Sequence, residues 1–403
     1  PSRSRLDGDR GFGIRPPMGL TASHRCASYG CAGATRAACA SDGMFEAWAA
    51  EELQKAFTAS DVSRVRELVN SVPMLKEREL AFPGEQSKLT ALALALNRRD
   101  SQVVRALLDA GVSPNLPISE EQRAIFAHRS HLAALNGGDP DLQHLTPGTH
   151  FESLCCVQHK DLFSLFLGKG ANPNSGIIPV CHCGDLAMLE ALLDRSADPN
   201  CLRREMCPLV TSVKSKMQPY EKVLMLLRAT ADPNLTADYS ADIGGDKQTV
   251  SGPPLPLRTV YPALTLATRK RDYRMVRILL EAGADANRTS GGEGLPSVLF
   301  WATYWGELEL LKLFVEVSRV PLDLGLKKYT GETIFDVALT SQAFARCKKP
   351  RHISKLPLPN RPAAVYEKIM ALLEQYRRDH PDGLETTGPM TTTGSTTAGT
   401  MAR

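Results

Sequence analysis

The chain has no apolar run long enough to cross a bilayer in helical form, which takes about twenty residues, so no transmembrane segment is expected. It also lacks the glycine-rich phosphate loops G-x-x-x-x-G-K-[ST] and G-x-G-x-x-G, the nucleophile elbow G-x-S-x-G and the metal-binding pair H-E-x-x-H. With those motifs absent, neither an enzyme nor a cofactor is expected. Neither sign of charge predominates, with 48 Lys and Arg against 44 Asp and Glu. A net charge of +4 over 403 residues is too small to imply nucleic acid as a partner. Ten cysteines are present, but their spacing gives no disulfide framework in a chain of this size. Reduced thiols in an intracellular compartment, most simply the cytoplasm, follow.

What the chain does have is a recurring phrase. Residues 272–287 read D-Y-R-M-V-R-I-L-L-E-A-G-A-D-A-N. Met275, Val276, Ile278, Leu279 and Leu280 form an apolar stripe of helical spacing. Gly283 suits the end of that helix, and Asp285 and Asn287 suit a turn. The closing phrase returns as Val112-Ser113-Pro114-Asn115, Ala171-Asn172-Pro173-Asn174, Ala197-Asp198-Pro199-Asn200 and Ala231-Asp232-Pro233-Asn234. A bulky apolar pair precedes each copy, as at Leu107-Leu108 and Leu226-Leu227. The final asparagines lie 59, 26, 34 and 53 residues apart. Those intervals scatter around a repeat of about 33 residues carrying insertions and one deletion, which marks stacked helical units.

The repeat resembles the ankyrin family. That family's opening T-P-L-H-x-A is matched in part by Thr90-Ala91-Leu92-Ala93-Leu94-Ala95, Pro262-Ala263-Leu264-Thr265-Leu266-Ala267 and Ser297-Val298-Leu299-Phe300-Trp301-Ala302. Cys207-Pro208-Leu209-Val210 and Thr333-Ile334-Phe335-Asp336-Val337-Ala338 are further versions. Its closing L-L-x-x-G-A-D-x-N is nearly complete at Leu279 to Asn287. The resemblance implies an all-α ankyrin-repeat solenoid of stacked helix-turn-helix units, about eight in number, with loop insertions and disordered termini. It also implies a concave face that binds another protein.

In chain order, residues 1–43 form a leader without periodicity. Within it, Met18-Gly19-Leu20-Thr21-Ala22-Ser23 matches a myristoylation pattern that matters only if translation starts at Met18. A repeat domain spans 44–379. It opens on a capping pair of helices over 44–70, broken near Ser60-Asp61, and carries insertions near 116–148, 235–260 and 341–362. Its last unit opens at 330–339 and closes with a helix over 363–378. The Thr- and Gly-rich stretch 380–403 has too few apolar residues to offset ordering entropy.

Two clusters invite other chemistry. Cys155-Cys156-x-x-His159 and Cys181-His182-Cys183 contain zinc-type donors. The repeat register, however, puts Cys155 and Cys181 at one position of adjacent helices, about 8–10 Å apart, so they are read as structural and no metal is expected. Cys183 is placed facing the groove. His128, His131, His144 and His150 lie in or beside the first insertion and read as a solvated loop, since catalytic sites need rigid support.

By register, the resemblance assigns the groove to Asn97-Arg98, Cys156-Val157, His182-Cys183, Arg269-Lys270 and Tyr304-Trp305. The partner-binding set is then Arg98, His182, Arg269, Lys270, Tyr304 and Trp305, with Tyr304 and Trp305 as aromatic anchors of the kind that dominates interface energetics. Trp301 is assigned to the core. An alternative comes from Lys355-Leu356-Pro357-Leu358-Pro359, which resembles part of the box by which some ankyrin proteins recruit cullin-type ubiquitin ligases as substrate-recruiting subunits.

Overall fold

A computed structural model describes residues 42–85, 87–119, 147–157, 159–203, 206–238, 260–288, 297–327, 331–346 and 361–381. The leader with Met18, most of the three insertions, Lys355 to Pro359, and His128, His131 and His144 lie outside them. The contacts divide the chain into one unit ending at Asp198 and a second beginning at Pro199.

The first unit is built from helix pairs: α1 (Asp42–Thr58) with α2 (Val62–Ser71), α3 (Ala91–Asn97) with α4 (Ser101–Asp109), α5 (His150–Val157) with α6 (Lys160–Gly168), and α7 (Pro173–Cys183) with α8 (Leu186–Asp194). The second helices α2, α4 and α6 touch in succession, as do the first helices α5 and α7. Short polar side chains start the second helices. Asp61, Asp100, His159 and Asp185 each accept a backbone N–H two or three residues on, which satisfies donors a helix start otherwise leaves open. The core between α5 and α6 is aromatic, with Phe151 stacked on Phe163 and Phe166 at 5.5 and 6.3 Å. Helix α7 reaches α5 through Gly176. A Cβ there would stand 2.8 Å from Phe151 Cε1 and 3.0 Å from Cys155 Sγ.

The second unit repeats the plan: α9 (Pro208–Lys214) with α10 (Pro219–Arg228), α11 (Ala263–Arg269) with α12 (Tyr273–Glu281), α13 (Val298–Tyr304) with α14 (Leu308–Val317), and α15 (Ile334–Arg346) with α16 (Ala363–Asp379). Helices α9, α11, α13 and α15 touch in succession along one row, and α12, α14 and α16 along the other. In α12 Met275, Val276, Leu279 and Leu280 are buried, while Ile278 is partly exposed. Pro219 stands at the first position of α10, where its missing N–H costs nothing. The chain leaves and re-enters the second insertion through two three-residue strands, β1 (Thr236–Asp238) and β2 (Val260–Pro262), paired antiparallel. These are the only strands among the described residues; the rest of the regular structure is helical. The connection expected from 341 begins later, because α15 continues to Arg346.

The recurring asparagine has a structural cause. In the first unit Asn115 Oδ1 accepts the Asn172 N–H at 2.7 Å while its amide donates to the Gly170 carbonyl at 3.0 Å. Asn174 Oδ1 accepts the Asp198 N–H at 2.7 Å. In the second unit Asn200, Asn234 and Asn287 accept the N–H groups of Asp232, Asp285 and Asp323 and donate to the carbonyls of Thr230, Gly283 and Pro321. Asn172, Asp232 and Asp285 fold their turns internally by accepting the N–H two residues on, at 2.8–3.0 Å, and Ser113 Oγ does the same for the Asn115 N–H at 3.2 Å. Each turn is therefore tied to the next by side-chain amides whose bonds are worth about 1 kcal/mol apiece.

The helix ends just before these turns all use a left-handed residue: Gly111, Gly170 and Gly283, but also Ser196 (φ +61°) and Thr230 (φ +67°). A β-branched residue in that conformation stores about 1–2 kcal/mol of strain. Glycine relieves it at the cost of a more flexible unfolded chain. Thr230→Gly is expected to stabilise the second unit by about 1 kcal/mol, and Gly283→Thr to destabilise it by a similar or larger amount. Urea midpoints of the two variants check this; an unchanged or lower midpoint for Thr230→Gly contradicts it.

Candidate functional site

Among the six residues assigned to the partner-binding face, Arg98 and His182 lie in the first unit. Arg98 caps the C-terminus of α3 and is half-buried. His182, expected to bind the partner, is corrected: it is buried in the last turn of α7 at 8% exposure and packs inside its unit. Cys183 does not face outward as expected. It is half-buried, and its thiol donates to the Pro179 carbonyl one turn back at 3.0 Å, because α7 packs this end against α5.

The other four come together in the second unit, at the C-terminal ends of the first-helix row. Arg269 ends α11, and its guanidinium lies 5.8 Å from the centre of the Trp301 ring on α13, a cation–π distance. Lys270 caps α11, is exposed, and donates from Nζ to the Val213 carbonyl at 3.1 Å, so the ends of α9 and α11 lie within reach of one side chain. Tyr304 ends α13 half-buried; its carbonyl accepts the Tyr366 hydroxyl at 3.0 Å, and burial raises its own phenol above the ordinary value. Trp301 is core, at 7% exposure.

Trp305 needs correction. It is 6% exposed and stacks on Trp301 at 5.2 Å, so it supports this face from beneath and does not anchor a partner directly. Its place explains this. Trp305 caps α13 just before Gly306 turns the chain back (φ +66°), and the spacing of four residues lays its ring along that of Trp301.

Three further residues belong to this face and were missed. Lys214, at the end of α9, matches Arg269 when Cys207 to Val213 is laid on Pro262 to Thr268, a register already available in the sequence. Lys216 and Met217 follow it, both exposed, with Met217 at 42%. The loop that carries them is held by Ser215. Its Oγ accepts from Lys222 Nζ at 3.1 Å and from the Met217 N–H at 3.2 Å, while its hydroxyl donates to the Met217 carbonyl. Lys222 is itself fully buried.

A second constellation gathers on Glu307, which precedes α14. Glu307, 3% exposed, binds Arg271 Nε at 3.0 Å and Arg361 at 2.9 Å, and accepts the Tyr273 hydroxyl at 3.1 Å. It joins the α11–α12 turn, the α13–α14 turn and the approach to α16. The partners lie as much as 54 residues apart, and no local pattern announces them.

Three of the described cysteines are disfavoured as thiolates. Cys155, Cys156, Cys181, Cys183, Cys201 and Cys207 are free thiols. Burial raises the pKa of Cys155, a hydrogen bond with Cys183 together with burial raises that of Cys156, and burial pushes Cys207 up to about 12. Such thiols stay protonated at neutral pH, and the thiolate is the form that attacks or binds metal. No group of three or more His, Cys, Asp or Glu stands at metal-binding distance among the described residues. Among the same residues, no helix is long and apolar enough to cross a membrane. In sequence comparisons, no family model and no curated protein matches the chain.

Proposed function

We propose that this protein is a non-catalytic, ankyrin-type repeat scaffold that recognises another protein through its first-helix face and turn tips. The observation that carries the reading is the asparagine bonding between successive turns, which accompanies helix pairs laid first helix to first helix and second helix to second helix within a unit. Repeats joined in this way present a row of equivalent side chains whose identity is free to vary while the packing positions are held. On this reading Arg269, Lys270 and Tyr304 take such positions in the second unit, and Arg98 takes one in the first. The thiols of Cys155, Cys156 and Cys207 are disfavoured as nucleophiles, which agrees with a non-catalytic reading.

The test is affinity capture from cell lysate with the full chain as bait, compared with a variant carrying Arg98→Glu, Arg269→Glu, Lys270→Glu and Tyr304→Ala. The variant is expected to melt cooperatively and to lose at least about tenfold of the captured partner, since truncated interface anchors cost about 1–2 kcal/mol or more each. Equal capture by both proteins sinks this assignment of the face.

A further inference from the structure

We propose that Ser101, at the first position of α4, is a phosphorylation site for a serine kinase whose peptide groove selects arginine two and three residues before the acceptor. Such a site goes beyond the recognition reading and stands without it.

Residues 98–102 read R-R-D-S-Q and join α3 to α4. Arg99, Ser101 and Gln102 are exposed, and Arg98 is half-buried. Among the described residues, the Ser101 hydroxyl and the two guanidinium groups make no hydrogen bond or ion pair. Asp100, which stands between them, is engaged elsewhere. Its Oδ1 accepts the Gln102 and Val103 N–H groups at 3.1 Å, and its Oδ2 accepts the Ser60 hydroxyl at 3.5 Å. Both arginines are thus open to the carboxylates of an incoming protein. Guanidinium groups at a fixed spacing from a hydroxyl are the charge pattern that a kinase groove lined with Asp and Glu reads.

Cations at the end of α3 also suit that helix's open carbonyls. That effect accounts for the arginines but not for the hydroxyl that follows them. The chain has three Arg-Arg pairs, at 98–99, 203–204 and 377–378, and the residues two positions after them are Ser101, Met206 and His380. Only the first pair is followed by a phosphate acceptor.

A kinase groove takes its substrate extended, so the turn has to open over these residues. Little holds it closed. The first N–H groups of a helix have no partner within the helix, so no ladder bond is lost at the N–H groups of Ser101 and Gln102. Arg99 is left-handed at φ +57°, a conformation an L-residue leaves with a gain. The buried side of α4 begins at Val103, beyond the stretch that the groove must grip. Helix ends of this kind open locally while the domain stays folded.

In the transfer, Ser101 Oγ attacks the γ-phosphorus of ATP. The Oγ–P bond forms, and the bond from that phosphorus to the β–γ bridging oxygen breaks. ADP leaves with the electron pair, and the hydroxyl proton passes to the base of the kinase. The phosphate brings a charge of about −1.5 to −2, which reverses the sign of charge over the turn.

The test uses the folded full chain, labelled ATP and two kinases: the catalytic subunit of the cyclic-AMP-dependent enzyme, which is arginine-directed, and an acid-directed casein kinase. The first is expected to place phosphate on Ser101, located by peptide mass spectrometry, and the second to leave Ser101 unlabelled. Arg98→Gln with Arg99→Gln should lower kcat/KM for transfer to Ser101 about tenfold or more. Arg98→Lys with Arg99→Lys keeps the charge and should lose less. Arg377→Gln with Arg378→Gln, at another Arg-Arg pair, should change the rate at Ser101 less than about twofold. Misfolding cannot imitate this result, because an unfolded turn reaches the groove more easily.

No phosphate on Ser101 of the folded chain overturns the proposal, even where a synthetic peptide of residues 95–105 is labelled. Equal rates for the unmodified chain and the Arg98, Arg99 glutamine variant overturn it as well, as does equal labelling of Ser101 by the acid-directed kinase.

Discussion

Replacing Arg271 and Arg361 together by methionine is expected to destabilise the second unit by about 3–5 kcal/mol, the cost of stranding a buried charge. Replacing Glu307 by glutamine is expected to cost clearly less, about 1–2 kcal/mol. The asymmetry follows from exposure. Glu307 is 3% exposed, whereas the two arginine side chains are 43% and 45% exposed. Without its arginines, the carboxylate keeps only the Tyr273 hydroxyl and has no access to water. Without the carboxylate, both guanidinium groups can turn to solvent. Adding Glu307→Gln to the double arginine variant should therefore recover part of the loss, a coupling that a mutant cycle isolates. Tryptophan fluorescence in a Trp48→Phe background follows this unit, because Trp301 and Trp305 both belong to it. If the glutamine variant is as damaged as the double arginine variant, Glu307 acts through packing alone.

Acidification should destabilise the first unit through His150. This ring is 5% exposed, sits on Thr90 at 3.5 Å, and burial lowers its pKa to about 4. The folded chain thus keeps His150 neutral, while the unfolded chain protonates it near its ordinary value of 6.5. Below that value the unfolded state binds the extra proton, so stability falls as pH drops and stops falling once the folded ring also protonates near 4. Between pH 7 and pH 5 the loss from this group is about 2 kcal/mol. His150→Gln removes the term, so the stability difference between the two proteins should shift by that amount across the interval. Urea unfolding followed by circular dichroism at both pH values measures it. A constant difference refutes the role of His150.

Much of the helical plan was legible in the chain, because it depends on local pattern. The break near Ser60-Asp61 falls between α1 and α2, with Ser60 left-handed at φ +50° and Asp61 capping α2. The helix expected over 363–378 is α16, Ala363–Asp379. Apolar spacing and turn residues suffice for such elements. The Glu307 constellation was not legible, since its members are brought together by the stacking of turns and leave no mark at short range. The β1–β2 pairing escaped for a similar reason: three residues on either side of a long insertion carry no periodicity to detect. Trp305 shows a different failure. It was read by its register alone, although Trp301 four residues earlier already signalled a stacked, inward pair. Lys214 escaped because the opening phrase Cys207-Pro208-Leu209-Val210 ends four residues before it, and only alignment with Pro262 to Arg269 brings it into register.

The asparagine bonds also account for the uneven intervals at which the closing phrase returns. Asn115, Asn174, Asn200, Asn234 and Asn287 reach N–H groups 57, 24, 32, 51 and 36 residues further on, yet the five distances lie between 2.7 and 2.8 Å. Such a bond measures the spacing of turns in three dimensions and takes no account of how much chain lies between them. Extra residues can therefore enter between a turn and the next first helix, while the stack keeps its pitch. The chain between Ser119 and Thr146, and between Asp238 and Val260, becomes the place where sequence can be gained, lost or exchanged, while the buried Leu116 and Ile118 and the β1–β2 pair hold the ends.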